Sequence, residues 1–497
     1  MSNKAEYDLL IIGGGINGAG IARDAAGRGL KVLLVEKDDL AAHTSSASTK
    51  LIHGGLRYLE HYEFRLVRES LIERERILKI APHIVWPMRF VLPHDKGLRP
   101  KWLLRLGLFL YDNLGGRKLL PATKTVNLRE SVHAPVLEDR LVSGFEYSDC
   151  WVEDARLVVL NCMDAAERGA TIRTRTQCTG LKAEGGHWAA TLKTSAGEET
   201  VRAKTVVNAA GPWVDEVLGK ANQGKEHDNV RLVQGSHLIF PKLFEHEQAY
   251  IFQNKDNRII FAIPYERDYT LVGTTDVLWE DDPGKVVISD EERQYLCDAL
   301  NEYLQTDVSP EDAVWDYSGV RPLYDDHKSD NSTVTRDYVF DLEEHEGAKI
   351  LSIFGGKVTT YRKLAEHALE KLEIGEGPGW TAEKALPGGD FDPMGFEQLL
   401  DRFAREYSWA DKDMLRRLLR AYGTRVHALL DGVTSVNGLG EHFGSDLYAR
   451  ELEYLCEVEF VACADDALWR RSKLGLHLDE TAKAKVAAWF EARGEVQ

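Results

Sequence analysis

Residues 7–37 read YDLLIIGGGINGAGIARDAAGRGLKVLLVEK, and few arrangements of a chain accommodate them. The order is a β-branched-rich strand over 9–12, a glycine turn, an alanine-rich helix, and a second strand over 32–35 that ends in Glu36. Gly13, Gly15 and Gly18 fit G-x-G-x-x-G. The first glycine permits a tight turn, the second lets backbone N–H groups approach a pyrophosphate, and the third lets the helix pack closely on the strand. Glu36 follows Gly18 by eighteen positions, where a carboxylate can accept hydrogen bonds from a ribose. The segment therefore predicts a dinucleotide-binding α/β unit and leaves NAD and FAD both open.

Two later segments favour FAD. TVVNAAGPWVDEV (205–217) is a short buried-type strand entering a turn at Gly211, and ILSIFGGKVTTYRKLAEHALEKL (350–372) is a strand, a turn at Gly355 and Gly356, then Lys357 and an amphipathic helix. The second could aim another helix N-terminus at the pyrimidine end of a flavin, where negative charge develops on reduction. Pattern alone equally allows two ordinary strand-to-helix turns.

With 497 residues, 43% of them hydrophobic, the chain predicts two or three packed domains. A net charge of -18 opposes nonspecific nucleic-acid binding. The six cysteines form no C-x-x-C pair and have no histidine at zinc-ligand spacing, so no metal site or disulfide framework is expected and a reduced, cytoplasmic setting is. The apolar N-terminal run passes into glycines and has no basic leader or cleavage site, which argues against export.

A denser stretch follows the second strand: SSASTKLIHGGLRYLE, residues 45–60. Its bland readings are Lys50 as a solvated charge, His53 as a packing histidine and Arg57 as the partner of Glu60 or Glu63. Together with GGGINGAGIARDAAGRG, GFEYSDCWVEDARLV, NAAGPWV, GSHLIF, GTTDV, YSGVRPL, FGGKVTTYRKLAEHALEKL and ADDALWRR, however, it resembles the FAD-dependent respiratory glycerol-3-phosphate dehydrogenases of bacteria. The resemblance spans nearly the whole chain. It implies a glutathione-reductase-type FAD-binding domain, a mixed α+β substrate domain, oxidation of sn-glycerol 3-phosphate to dihydroxyacetone phosphate, and electron delivery to ubiquinone or another membrane quinone.

Residue by residue, the resemblance implies Gly13, Gly15, Gly18 and Glu36 on the FAD adenosine and pyrophosphate, and Ser45, Ser46, Lys50 and Leu51 along the flavin. It implies Arg57, Tyr58, His237, Thr275, Arg321, Lys357 and Thr359 around the substrate and the ring. His237 is the expected base, since an imidazole titrates near neutral pH. Arg57 and Arg321 are the expected phosphate ligands, with Lys357 nearer the reacting hydroxyl.

The FAD-binding domain is expected to be discontinuous, over 1–75, 146–215 and 318–386, with the substrate domain over 76–145 and 216–317. LPGGDFDP (386–393) reads as a linker, and Phe396, Leu399, Leu400, Phe403, Leu415, Leu418 and Leu419 recur at helical spacing, predicting an all-α C-terminal domain over 387–497. In RPKWLLRLGLFLYDNLGGRK (99–118) cations surround Trp102 and Phe109. The segment predicts either a core helix with a charged rim or a monotopic contact with the membrane surface. The latter would place the protein peripherally on the inner face of the cell membrane. A homodimer is one assembly the sequence leaves open. Two other functions compete: a flavin oxidase acting on glycerol 3-phosphate or an amine, and a noncatalytic flavoprotein scaffold.

Overall fold

The computed structural model describes residues 6–95, 99–222, 224–225, 227–256, 258–325 and 337–494. From the N-terminus the elements are β1 (Glu6–Ile12), α1 (Ile16–Gly27), β2 (Val32–Val35), β3 (Leu51–Ile52), α2 (Phe64–Ile80), β4 (Val85–His94), α3 (Lys101–Leu114), β5 (Lys124–Asn127), β6 (Ser143–Val152) and α4 (Asp154–Glu167). Then come β7 (Thr171–Arg173), β8 (Gln177–Glu184), β9 (His187–Thr194), β10 (Gly197–Asn208), α5 (Val214–Ala221), β11 (Val230–Pro241), β12 (Ala249–Gln253), β13 (Ile259–Tyr265), β14 (Tyr269–Gly273) and β15 (Val277–Leu278). They are followed by α6 (Asp290–Asn301), β16 (Trp315–Tyr324), β17 (Val339–His345), β18 (Ala348–Phe354) and α7 (Tyr361–Leu372). The C-terminal part holds α8 (Phe396–Glu406), α9 (Lys412–Tyr422), α10 (Val426–Leu429), β19 (His442–Gly444), β20 (Leu447–Tyr448), α11 (Ala449–Val458) and α12 (Glu480–Arg493).

The first sheet runs β17-β18-β10-β1-β2-β7, with β9 added on β10 and β8 on β9. Its centre is parallel, β18, β10, β1, β2 and β7 all pointing one way. Both faces are covered at the centre, which is why residues 9–12 of β1 and all of β2 are apolar without alternation. Leu9, Ile11, Val32 and Leu34 face α1, α4 and α7, while Leu10, Ile12, Leu33 and Val35 pack with Trp188, Leu192 and Val217 on the other side.

The second sheet runs β15-β11-β14-β13-β12-β4-β6-β3, with β16 on β11 and β5 on β6. All its ladders are antiparallel except β12 against β4. The expected re-entry points at 146 and 318 fall inside this sheet. β6 pairs with β4 from Val85↔Val152 to His94↔Ser143, and β16 pairs with β11 from Val230↔Tyr324 to Ile239↔Trp315. A strand committed along its length to such a ladder cannot also join the parallel sheet. The chain therefore returns to the first sheet's layer only at α4 and at β17.

The C-terminal part is helical, as its periodicity predicts, with one small β19–β20 hairpin added. Phe396, Leu400, Phe403, Leu415, Leu419 and Leu452 form its own core. Buried ion pairs fasten it to the FAD-binding layer: Arg156 with Glu459, and Arg471 with Asp39 at 2.7 Å.

Candidate active site

Two cavities meet along the edge of the parallel sheet. The first, of about 180 Å³, is lined by Gly13, Gly15, Glu36, Ser45, Gly211 and Trp213 among others. The second, of about 380 Å³, lies between the sheets and is lined by Thr49, Leu51, Arg57, His237, Arg321 and Lys357 among others. Thr44, Pro322, Gly355, Gly356 and Val358 border both, so a long ligand can pass from one to the other.

The first cavity is built by the glycine turn. Gly13 has φ +116°, and a Cβ there would lie 2.4 Å from the Ala209 carbonyl oxygen. At Gly18 it would lie 2.0 Å from the Gly13 oxygen, which explains the third glycine as a packing requirement; Gly18 lies behind the cavity wall. Glu36 accepts hydrogen bonds from the Gly14 N–H at 2.7 Å and the Asp38 N–H at 2.9 Å, closing the turn onto β2. Burial raises its carboxyl pKa, against the lowering effect of those two donors. Ser45 accepts from the Ile16 N–H at 3.0 Å, so its hydroxyl oxygen satisfies a donor at the start of α1. At the outer end the Lys37 ammonium lies 3.5 Å from the centre of the Trp213 ring, with His43 against the same ring.

These residues fit an FAD. The glycines leave room for a pyrophosphate at the N-terminus of α1, and Glu36 faces the space a ribose would take. Two polar atoms near the meeting of the cavities are buried with no hydrogen-bond partner: Asn17 Oδ1 and Lys357 Nζ. The other end of the Asn17 amide donates to the Gly355 carbonyl at 3.1 Å, which ties α1 to the Gly355-Gly356 turn, where both glycines have positive φ. Unmatched buried polar atoms beside such a turn are what a bound polar ring would satisfy.

In the second cavity the polar lining comes from distant parts of the chain. His237 sits in β11 between Gly273 of β14 and Tyr317 of β16, and its ring stacks on Tyr317 at 4.7 Å. Its Nε2 is 3.0 Å from Thr49 Oγ1, and its Nδ1 is buried without a partner. Burial, then Lys50 and Arg321, drive its pKa well below the ordinary 6.5, so the ring is neutral at pH 7. Arg321 donates to the Thr275 carbonyl at 3.0 Å, with Asp276 Oδ1 at 3.5 Å. Lys357 Nζ lies 4.0 Å from the centre of the Tyr58 ring. Arg57 lines the cavity and pairs with neither Glu60 nor Glu63 among the described hydrogen bonds and ion pairs. Thr359 Oγ1 accepts the His53 N–H at 3.2 Å.

Three expected residues are placed differently: Lys50 and Ser46 line neither cavity, while Thr275 lines the second but has its hydroxyl bonded within the protein. Lys50 is neither a solvated charge nor part of either cavity wall. Its ammonium is buried, paired with Asp154 at 2.8 Å and donating to the Ser46 carbonyl at 3.0 Å. Asp154 at the start of α4 offsets the cost of burying this ammonium. The Ser46 hydroxyl turns back to the His43 carbonyl at 3.2 Å. Thr275 is 1% exposed, and its hydroxyl accepts from Ser236 N and donates to Glu292, so it is already committed within the protein.

The bland reading of His53 also fails. Its ring lines the second cavity, and Nδ1 accepts the Gly55 N–H at 3.1 Å, which leaves the proton of the neutral ring on Nε2. Burial lowers its pKa. Thr49, beside His237, was equally unmarked by sequence pattern. The signal available for both was their position within the same polar stretch, 45–60.

Comparison with known proteins agrees with this geometry. Residues 8–362 match the FAD dependent oxidoreductase family, and residues 380–493 match the C-terminal domain of alpha-glycerophosphate oxidase. The chain is 52% identical over 491 residues to a glycerol-3-phosphate dehydrogenase of Pseudomonas aeruginosa, covering 98% of this chain and 95% of that protein. It is 50% identical over 496 residues to a D-erythritol 1-phosphate dehydrogenase of Brucella abortus, covering 99% of each. The structure of the glycerol-3-phosphate dehydrogenase of Bacillus halodurans complexed with FAD superposes with a TM-score of 0.76 at 29% identity, over 99% of this chain and 95% of that one. A glycine cradle, a cavity that runs from it to a buried histidine and a full-length match therefore lead to one conclusion: the chain belongs to the FAD-dependent oxidoreductases, with FAD as its cofactor and a C-terminal domain of the alpha-glycerophosphate oxidase type.

Proposed function

We propose that the protein oxidises the secondary alcohol of a small polyol phosphate, with sn-glycerol 3-phosphate as substrate and dihydroxyacetone phosphate as product. The observation that carries this reading is the set of cationic side chains Arg57, Arg321 and Lys357 around the neutral His237 in one cavity. Guanidinium groups suit phosphate oxygens, and an ammonium buried without a hydrogen-bond acceptor suits a hydroxyl or carbonyl oxygen. An amine substrate of the oxidase kind would want a carboxylate-binding group and an apolar pocket, whereas a phosphate favours several cations.

In this reading Arg57 and Arg321 hold the phosphate, and Lys357 orients the C2 hydroxyl. His237, uncharged, takes the hydroxyl proton, and Thr49 fixes its ring. His53 Nε2–H is available as a further donor. Bound FAD supplies the hydride acceptor. The relative named for D-erythritol 1-phosphate matches over its whole length, and that compound shares the phosphate and the secondary alcohol. The test is anaerobic mixing of the purified yellow protein with each compound. Glycerol 3-phosphate is expected to bleach the flavin at a rate matching turnover, without stoichiometric peroxide in air. Bleaching by D-erythritol 1-phosphate alone would reassign the substrate, and bleaching by neither would end the reading.

The electron acceptor in this proposal is a membrane quinone, reached from the membrane surface. Among the described residues no helix is long and apolar enough to cross a bilayer. α3 buries only Leu108, Tyr111 and Asp112, and leaves Trp102 69% and Phe109 55% exposed. Tyr62, 80% exposed, and Phe64 extend the apolar surface from the turn after Arg57, and Arg99, Lys101 and Arg105 accompany it. Such a helix suits the interface between headgroups and acyl chains. Binding to anionic liposomes should weaken at high salt and in the Arg99→Glu, Lys101→Glu double variant. Unchanged binding and unchanged quinone reduction would exclude this face.

A further inference from the structure

Outside the lining of both cavities the protein holds a buried carboxylate, Glu292. Glu292 is the third residue of α6, where it completes a capping box with Ser289. Its side chain does more than cap. Oε1 accepts from the Thr275 hydroxyl at 2.5 Å and the Ser236 hydroxyl at 2.9 Å. Oε2 accepts from Gln234 Nε2 at 2.9 Å and from the Ser289 N–H at 3.0 Å. One carboxylate thus joins α6, two positions of β11 and the segment after β14.

The connection to the site runs through Thr275. Its hydroxyl hydrogen goes to Glu292 and its oxygen accepts the Ser236 N–H at 2.9 Å, so the residue is fixed on two sides. Its carbonyl then accepts from Arg321 Nη2 at 3.0 Å. Gly235 leaves room for the guanidinium, since a Cβ there would lie 2.4 Å from Nη2, and Thr274 Oγ1 at 3.4 Å and Asp276 Oδ1 at 3.5 Å are among its other contacts. Ser236, a second ligand of Glu292, directly precedes His237 and its hydroxyl lies 2.9 Å from that of Ser318 on β16.

We propose that Glu292 is a positioning residue for the phosphate end of the substrate, acting through Thr275 to aim the Arg321 guanidinium into the cavity. A bidentate anion contact depends on the direction of the guanidinium plane, so a shift in the Thr275 carbonyl weakens the phosphate contact while leaving the charge in place. The carboxylate is needed as such. In a glutamine the amide nitrogen must face either the Thr275 and Ser236 hydroxyls or the Gln234 and Ser289 donors, so one pair loses its acceptor. The proposal rests on Arg321 as a phosphate ligand.

The experiment compares holoenzyme variants Glu292→Gln, Thr275→Val and Arg321→Ala, each with its flavin spectrum and melting temperature checked. The readouts are KM and kcat for glycerol 3-phosphate, inhibition by inorganic phosphate, and the slow reaction with glycerol. Glu292→Gln is expected to raise KM and the phosphate inhibition constant about tenfold, with kcat and the glycerol reaction changed by less than about threefold, as loss of one ligand-orienting hydrogen bond implies. Thr275→Val should do the same, and the double variant should be no worse than either single one. Equal loss on glycerol 3-phosphate and on glycerol would make Glu292 a structural residue only and overturn the proposal. So would a normal KM in Glu292→Gln when Arg321→Ala raises it. A normal KM in Arg321→Ala would instead defeat the phosphate reading itself. If Glu292→Gln fails to fold, Thr275→Val decides alone, a normal KM there overturning the link.

Discussion

His237 stands directly opposite Gly273 across the β11–β14 ladder, and its imidazole fills the space a side chain at 273 would need: a Cβ there would lie 2.2 Å from His237 Cδ2. Tyr317, its partner on the other flank, closes the sandwich. The histidine is held by the sheet itself, by a missing side chain on one side and an aromatic ring on the other.

Gly273→Ala should therefore move the ring without touching FAD binding. Displacing a catalytic group by about 1 Å costs on the order of a hundredfold in rate. The check is the single-turnover rate of flavin bleaching, alongside an unchanged flavin content.

Gly13→Ala should act at the other end of the ligand. The residue has φ +116° and no room for a Cβ against the Ala209 carbonyl, so the turn must open. The expected outcome is protein purified without yellow colour. Retention of full flavin content would show that the turn tolerates the shift.

Asp39→Asn should loosen the C-terminal domain. Asp39 accepts from Arg471 at 2.7 Å and 2.8 Å and from Arg470 at 2.6 Å, in the loop whose neighbours Lys37 and Ala41 line the first cavity. Removing the carboxylate leaves Arg471 buried without its counter-charge, a loss of about 3–5 kcal/mol. A lower melting temperature and faster FAD loss on gel filtration are expected together.

Acid should destabilise the fold through buried histidines. His83 is fully buried, and that burial, with Arg156 and Arg420 nearby, pushes its pKa down from 6.5 to about 3. Between those values the unfolded chain takes up a proton that the folded chain refuses. Stability is thus complete above about pH 6.5 and falls as the pH falls toward 3, by about 1.4 kcal/mol per pH unit for this one group. His237 and His53 shift in the same direction. Melting temperatures at pH 7.5 and pH 5.5 should differ less in His83→Leu than in the parent. An unchanged difference would mean that His83 titrates normally.

For the substrate-free protein, the same displacement of His237 predicts an imidazole that stays uncharged from about pH 8 down past 6.5. The check is an NMR titration of the His237 ring in the holoprotein without substrate. A midpoint near pH 6.5 would show that the imidazole is exposed to water.

The sequence by itself determined whatever depends on neighbours along the chain. The glycine turn, the acid at the end of β2 and the helical periodicity after residue 390 were legible because strand, turn and helix each satisfy their hydrogen bonds locally, and a glycine with φ +116° leaves its mark on the letter that occupies the position. The full-length resemblance carried the cofactor and the family in the same way. Tertiary structure decided the rest, and the reason is desolvation. Lys50 reads as a flavin or surface lysine until Asp154, 104 residues later, is seen neutralising it in the interior. Thr275 lines the second cavity, but its hydroxyl is taken up by Glu292 as acceptor and the Ser236 N–H as donor. Strands β6 and β16 read as part of the FAD-binding layer until their ladders commit them to the other sheet. In each case a buried polar group had to find a partner, and which partner it found depended on how distant segments packed, a relation that no local run of residues encodes.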